Sequence, residues 1–231
     1  MKANPKIVVI IPAMNEEGSI GKVVSEIPQD LVAEILVCNN GSTDDTKKVA
    51  EEAGAIVLDE PKAGYGWACL KGMDYASKME EKPDIICFID GDYSDYPEEM
   101  KLVVAPIIEN DFDMVIGSRA LGQKEKGSMT FPQRFGNWLA TRLMRLFHGV
   151  KYTDLGPFRA IKYNELMDLG MVDKTYGWTI EMQIKAAKNK LKTCEVAVNY
   201  KKRIGHSKVS GTVKGTIGAG YKIILTIFKY L

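Results

Sequence analysis

Two carboxylates separated by a single glycine, Asp90-Gly91-Asp92, directly follow an apolar run at residues 85–89. A short apolar run of this kind predicts a buried strand, which would deliver both carboxylates to the edge of a sheet. Mg²⁺ and Mn²⁺ prefer oxygen ligands, usually one or two carboxylates completed by diphosphate oxygens and water. The triplet therefore indicates a metal–diphosphate site, although Asp-Gly is also a common dipeptide in solvated turns.

The elements that would position this triplet alternate through the first half of the chain. Apolar runs at residues 7–11, 35–38, 56–58, 85–89 and 114–116 predict strands, and the segments 19–27, 44–53, 67–78 and 97–109 predict helices. Ser42 is expected to cap the second helix and Gly54 to end it. A repeated βαβ pattern predicts an open parallel sheet with a ligand crevice at the carboxyl ends of its strands.

Polar or glycine-rich segments lie at four other edges of these elements, at residues 12–17, 39–44, 64–72 and 116–119. Their convergence on one crevice favours a binding site over a solvated turn. The second half is less regular: residues 135–147 and 178–188 predict helices, residues 192–200 a strand, and residues 121–133 a mobile loop beside the site.

Composition limits the function classes. The 231 residues are 45% apolar and 26% charged, which suits one α/β domain. Lys and Arg number 31 against 30 Asp and Glu, and a net charge of +1 argues against a nucleic-acid partner. The four cysteines form no Cys-x-x-Cys pair, which favours a reduced, cytoplasmic setting. The N-terminal apolar run is too short for a signal peptide and is expected to form a strand.

Eight segments together resemble family 2 glycosyltransferases of the GT-A fold, and among them the dolichol-phosphate-mannose synthase-like enzymes. They are IPAMNEE, NNGSTDDT, GYGWACLKG, FIDGDYSDYPEE, VIGSR, TDLGPFRAI, GWTIEMQIKAA and YKKRIGHSKVSGT, and the resemblance spans residues 6 to about 213. It implies a Rossmann-like α/β fold in which helices flank a mostly parallel sheet, with an acceptor-side extension. We expect the catalytic domain to occupy residues 1–213 and a C-terminal helix residues 214–231.

The same resemblance implies a hexosyltransferase that uses Mg²⁺ or Mn²⁺. In the DXD motif formed by Asp90 and Asp92, it implies that Asp92 ligates the metal and that Asp90 approaches the ribose or the metal. In some related enzymes a histidine in the late loop, here His206, completes the metal shell. A surface loop remains an alternative for His206. The donor would contact residues spread over four segments: Pro12, Asn15, Glu16, Glu17, Asn39, Asn40, Lys71, Asp90 and Gly91.

One segment departs from the family pattern, because Asn39-Asn40-Gly41-Ser42 stands where members commonly carry Asp-Asp-Gly-Ser. An Asn oxygen accepts one N–H, which uracil offers, but matches the two adjacent donors of guanine less well. This difference favours a UDP-sugar over GDP-mannose. It is also the only sequence support for an alternative function, that of a nucleotide-sugar-binding protein without catalysis.

The acceptor is indicated by a basic cluster that the resemblance places on the acceptor side: Arg119, Arg134, Arg203 and Lys208. The guanidinium fork suits phosphate oxygens, although a solvated basic face is the alternative. A polyprenyl phosphate would be ionised already and would need no strong base for attack on the anomeric carbon. A hydroxyl acceptor on a glycan or small molecule would need one, and Asp154 and Glu181 are the candidates, unless each is a cap or an ion-pair partner.

The C-terminal segment is apolar with Lys214, Lys222 and Lys229 interspersed, and is shorter than the roughly 20 residues that span a bilayer. It suits a helix lying on a membrane surface or one packed on the sheet or on a second subunit. The expected location is cytoplasmic. The sequence leaves open both peripheral attachment to the cytoplasmic membrane face and homo-oligomerisation.

Overall fold

A computed structural model describes residues 5–205 and 213–231, without the side chains of residues 213, 214 and 216. Seven strands form one sheet: β1 (Ile7–Ala13), β2 (Glu34–Asn39), β3 (Ile56–Asp59), β4 (Ile85–Phe88), β5 (Met114–Ser118), β6 (Arg159–Lys162) and β7 (Thr193–Ala197). Their order is β3-β2-β1-β4-β6-β5-β7. Only β6 runs antiparallel to its neighbours β4 and β5, so the sheet is mostly parallel, as predicted.

The described helices are α1 (Ile20–Glu26), α2 (Thr46–Glu52), α3 (Tyr65–Lys78), α4 (Met100–Asn110), α5 (Phe131–His148), α6 (Tyr163–Asp168), α7 (Trp178–Lys188) and α8 (Val213–Lys229). They cover both faces of the sheet. Alternate residues of β1 enter the two cores, since Val8 and Ile10 pack towards α3 and α7 whereas Val9 and Ile11 pack towards α1 and α4. Burial on both faces explains why the central strands are continuous apolar runs.

Several boundaries differ from the prediction. Helix α2 begins at Thr46, and Ser42 does not cap it; the Ser42 hydroxyl instead accepts the Asn15 amide at 2.9 Å. Asp45 occupies the N-cap position without a side-chain capping bond, and the carboxylate of Asp44, one residue earlier, accepts the Thr46 amide at 3.1 Å. Gly54 follows α2 with φ +96°, the left-handed conformation that glycine adopts most easily, as predicted.

The loop predicted over residues 121–133 ends earlier than expected, because α5 begins at Phe131. Thr130 and Gln133 form a reciprocal capping box there, a signal that the polar composition of the segment concealed. Strand β6 and helix α6 were not predicted, and β7 is shorter than the alternating pattern suggested.

Helix α8 packs against α5 and α7. Within residues 5–205 and 213–231, no helix combines the length and apolar character needed to cross a bilayer. The division into residues 1–213 and 214–231 stays a prediction.

Candidate active site

Two cavities open at the carboxyl edge of the sheet. The first, of about 410 Å³, lies between the ends of β1 and β4 and the start of α3, and its lining includes Pro12, Glu16 and Asn40. The second, of about 330 Å³, extends between α5 and α8. Both linings include Tyr65, Asp90, Asp92, Tyr176 and Arg203. The Asp-Gly-Asp triplet therefore stands where the two cavities meet.

Asp92 is buried and engaged on both carboxylate oxygens. One oxygen accepts the amide and the hydroxyl of Ser94, and the other pairs with Arg203 Nη1 at 3.0 Å. Arg203 Nη2 donates in turn to Glu16 Oε1 at 2.9 Å. A guanidinium cation thus bridges two buried carboxylates from different segments. The Arg203 guanidinium therefore places a positive charge directly beside Asp92.

Asp90 accepts a hydrogen bond from the Tyr65 hydroxyl at 3.1 Å. Burial and the neighbouring Asp92 charge raise the pKa of Asp90 above its ordinary value, although Tyr65, Arg119 and Arg203 act in the opposite direction. Between the two acids, a Cβ on Gly91 would lie 3.3 Å from the Pro12 carbonyl oxygen. The glycine therefore lets β1 and the triplet approach closely.

The residues present fit a divalent metal held together with a diphosphate. Asp95, a third buried carboxyl, has no hydrogen-bond partner among the described residues, and burial followed by the Asp90 charge raises its pKa. Burial and mutual repulsion thus disfavour the charged forms of Asp90 and Asp95, and a bound cation would relieve that repulsion. The described residues contain no cluster of three His, Cys, Asp or Glu with metal-ligand geometry, so diphosphate and water would have to complete a shell begun by Asp90 and Asp92. His206 lies outside the described residues.

Arg119 faces the second cavity and is held by Asp154. The two oxygens of Asp154 accept from the Arg119 amide, Nε and Nη2, each at 2.8 Å. Burial alone would raise the pKa of Asp154, but the Arg119 charge and hydrogen bonds outweigh it and the pKa is lowered. The same contacts raise the pKa of Arg119, whose guanidinium also lies over the Tyr200 ring at 5.0 Å. Asp154 is thus a fully engaged carboxylate that orients a permanent cation.

Glu181, the other candidate base, lies on α7 away from both cavity linings. It is fully buried, accepts the Asp173 amide at 2.7 Å and the Tyr230 hydroxyl at 2.6 Å, and pairs with Lys185 at 2.8 Å. These contacts tie α7 to the 172–173 segment and to the C-terminus. Its position argues against a role as a base in the site.

The remaining predicted donor residues divide into two groups. Pro12 and Asn40 line the first cavity, whereas four others line neither: Asn15, Glu17, Asn39 and Lys71. Asn15 and Glu17 accept the amides of Thr43 and Asp45 and so hold the 12–17 and 39–45 segments together. Lys71 lies half-buried on α3.

Both asparagines already use their side chains within the protein. Asn39 accepts the Ser42 amide at 3.2 Å and donates to Asp59. Asn40 donates to the carbonyls of Glu60 and Lys62 and accepts the Gly64 amide at 2.7 Å. The Asn40 oxygen keeps one further lone pair for a ligand.

Of the predicted basic cluster, Arg119 and Arg203 both line the second cavity. Arg134 is exposed on α5 and lines neither cavity, and Lys208 lies outside the described residues. The predicted four-residue basic cluster is thus seen only as this Arg119–Arg203 pair.

Tyr65 and Tyr176 line both cavities but were not among the predicted site residues. The sequence feature that marks Tyr65 is the glycine on each side of it, Gly64 and Gly66. A Cβ on Gly64 would lie 2.2 Å from the Lys174 carbonyl oxygen, and one on Gly66 2.1 Å from that of Asp173. The two glycines therefore allow the 173–176 segment, which carries Tyr176, to close over the start of α3.

Comparison with known proteins agrees with this architecture. The solved glucosyl-3-phosphoglycerate synthase of Mycobacterium tuberculosis, in complex with Mn²⁺, UDP and glucosyl-3-phosphoglycerate, superposes with a TM-score of 0.77 at 22% identity, over 99% of this chain and 81% of that one. This likeness confirms the GT-A fold.

Two curated relatives match along most of their length. An uncharacterized glycosyltransferase of M. tuberculosis is 33% identical over 218 residues, 93% of this chain and 94% of the relative. A dolichyl-phosphate hexose transferase of Haloferax volcanii is 30% identical over 208 residues, 88% of this chain and 86% of the relative. The model for glycosyl transferase family 2 matches residues 8–169, and on these findings the chain belongs to that family of enzymes.

Proposed function

We propose that this glycosyltransferase moves a hexose from a UDP-sugar to a polyprenyl phosphate, with inversion, in a metal-dependent reaction. The observation that carries the proposal is the meeting of the two cavities at Asp90, Asp92 and Arg203, with Arg119 on the wall of the second cavity. A donor diphosphate in the first cavity and an acceptor phosphate in the second would bring the anomeric carbon between them.

On the donor side, Asp90 and Asp92 would hold Mg²⁺ or Mn²⁺, which supplies charge neutralisation for the departing diphosphate. Arg203 would exchange its contact with Asp92 for the diphosphate oxygens. The free lone pair of Asn40 suits one imino N–H and favours uracil over guanine. The presence of Mn²⁺ and UDP in the solved structure with the same fold supports this choice.

On the acceptor side, the geometry favours an acceptor that needs no base. Asp154 is engaged by Arg119 through three hydrogen bonds, and Glu181 lies away from both cavities. Arg119 keeps its full positive charge, and a phosphate entering the second cavity would meet it directly. The name of the H. volcanii relative, a dolichyl-phosphate hexose transferase, supports this acceptor class.

The test is a transfer assay with labelled UDP-glucose, UDP-N-acetylglucosamine and GDP-mannose, each with dolichyl or undecaprenyl phosphate, with and without Mn²⁺. We expect Mn²⁺-dependent formation of a labelled lipid from a UDP-sugar, and loss of that product in Asp92→Asn. Lys78→Gln, on the exposed side of α3, is the matched control and should keep full activity.

Two outcomes would contradict the proposal. Transfer to glycan hydroxyls but never to lipid phosphate would favour the hydroxyl-acceptor enzyme. Binding of a nucleotide-sugar without turnover on any acceptor would favour a binding protein.

A further inference from the structure

Five residues line both cavities, at the place where the cavities meet: Tyr65, Asp90, Asp92, Tyr176 and Arg203. If the proposed function holds, the transferred hexose must occupy this junction, because the sugar is bonded to the donor diphosphate and is attacked from the acceptor side. A side chain at the junction that has no other partner is therefore a candidate contact for the sugar itself.

Four of the five residues are already engaged with one another. Asp92 and Arg203 pair at 3.0 Å, and Asp90 accepts the Tyr65 hydroxyl at 3.1 Å. The Tyr176 hydroxyl, by contrast, has no hydrogen-bond partner within residues 5–205 and 213–231, and the residue is 38% exposed. Tyr176 is thus the aromatic residue of the junction whose side chain is free to meet a ligand.

The backbone that carries Tyr176 is fixed on both sides of it. The Asp173 carboxylate accepts the Thr175 amide at 2.8 Å and the Gly177 amide at 3.1 Å. The Lys174 carbonyl accepts a backbone amide of α3 at 3.2 Å. The 173–176 segment therefore holds the tyrosine at one position beside the junction.

Two buried contacts anchor this segment to the C-terminal helices. The Asp173 amide donates to the Glu181 carboxylate of α7 at 2.7 Å, and the Asp173 carboxylate pairs with Lys222 of α8 at 3.0 Å. Glu181, which is buried and lines neither cavity, thus has a structural role in anchoring the residues before Tyr176. A side chain held in place beforehand loses less conformational entropy when it binds a ligand.

The chemistry of a tyrosine ring suits the sugar rather than the nucleotide diphosphate. The face of an aromatic ring carries negative potential, and the C–H bonds on a pyranose ring carry weak positive charge, so the two stack favourably. The diphosphate is an anion and is repelled by the same ring face. A ring at the junction would therefore add affinity for the hexose alone.

We propose that Tyr176 is the sugar-recognition residue of this enzyme, its ring stacking on the hexose of the bound donor. The 173–176 segment presents the ring before the donor arrives. This inference rests on the proposed function only in placing a nucleotide-sugar across the junction, and it is independent of the acceptor.

The experiment is calorimetric titration of the whole chain in the presence of Mn²⁺ and without acceptor. UDP-glucose and UDP-N-acetylglucosamine are each compared with UDP, and GDP-mannose with GDP, so that the contribution of the sugar is measured whichever base the site takes. We expect Tyr176→Ala to weaken binding of the preferred nucleotide-sugar by about fivefold and to leave binding of its nucleotide diphosphate within about twofold of wild type.

Two further variants isolate the ring. Tyr176→Phe keeps the ring and should bind the nucleotide-sugar within about twofold of wild type. Tyr221→Ala removes a tyrosine that is 66% exposed on α8 and lines neither cavity, and it should change neither affinity. Retained binding of the nucleotide diphosphate by Tyr176→Ala also shows that the variant is folded.

Three results would overturn the proposal. They are equal weakening of nucleotide-sugar and nucleotide diphosphate in Tyr176→Ala, no weakening of either, and a loss in Tyr176→Phe as large as that in Tyr176→Ala. Absence of wild-type binding to every nucleotide-sugar would overturn both this inference and the proposed function. The selective loss in Tyr176→Ala without any transfer to polyprenyl phosphate would contradict the proposed function alone.

Discussion

The substitution Asp154→Asn separates a structural carboxylate from a catalytic base. Asp154 is 1% exposed and accepts three hydrogen bonds from Arg119, two of them from the guanidinium. Loss of its charge leaves Arg119, with a side chain only 13% exposed, without a counter-ion. Breaking a buried pair in this way destabilises a protein by about 3–5 kcal/mol. At this chain length each kcal/mol lowers Tm by about 2–4 °C, so we expect a fall of about 6–20 °C.

The assay is thermal unfolding at pH 7, monitored by calorimetry. Initial rates of glycosyl transfer are measured at temperatures below the melting range. Asp74→Asn is the control, because it removes a carboxylate that pairs with Lys78 on the exposed surface at 2.7 Å. Exposed pairs one helical turn apart contribute little, and this variant should melt within about 2 °C of wild type. Arg119→Met combined with Asp154→Asn should destabilise by less than the sum of the single changes, because both act on one pair.

The pH dependence gives a second check. The pKa of Asp154 is lowered in the folded state, so its stabilising effect is fully present above the ordinary carboxyl pKa of about 4 and is lost as pH falls further. The gap in Tm between wild type and Asp154→Asn should persist from pH 8 to pH 5 and narrow towards pH 3. A variant that melts within about 2 °C of wild type at pH 7 but has lost its activity would refute this reasoning and identify Asp154 as the base.

Three further predictions concern the site. Arg203→Met removes the cation that bridges Asp92 and Glu16, so Mn²⁺ alone should bind more tightly in a calorimetric titration while kcat falls about 10²-fold; weaker Mn²⁺ binding would contradict this. Tyr65→Phe removes a hydrogen bond that lowers the pKa of Asp90, so more of Asp90 should stay protonated in weak acid. In titrations of UDP in the presence of Mn²⁺, Tyr65→Phe should then lose more affinity relative to wild type at pH 6 than at pH 8. Equal losses at the two pH values would contradict this prediction. Gly66→Ala should lower Tm because its Cβ would lie 2.1 Å from the Asp173 carbonyl oxygen, whereas Gly136→Ala, with nothing within 4 Å, should not; equal Tm values for the two variants would show that the 173–176 segment does not pack as described.

The proposed donor half of the site could be placed from the sequence because its signals are local. Strands β1 and β4 are continuous apolar runs, and the polar residues that end them must lie side by side once the strands pair in parallel. The positions of Pro12, Asp90 and Asp92 at the ends of these two strands were therefore enough to place them at one edge of the sheet. The glycines on either side of Tyr65 were visible too, but their role depends on the 173–176 segment, which is distant in sequence.

The proposed acceptor half could not be placed in the same way. Arg119 and Asp154 are 35 positions apart, and no periodicity connects them. Strand β6 was missed because Arg159-Ala160-Ile161-Lys162 has no apolar run; its arginine is buried by donating to the carbonyls of Gly156 and Thr179. Its antiparallel place between β4 and β5 is set by tertiary pairing, which local patterns do not encode.

The central claim is that Asp90 and Asp92 hold a nucleotide diphosphate through a divalent metal. Its most direct test is calorimetric titration of UDP into the protein with Mn²⁺ and with EDTA, for wild type and Asp92→Asn. The account predicts tight binding only for wild type with Mn²⁺. Equal UDP affinity in EDTA, or in Asp92→Asn, would contradict it.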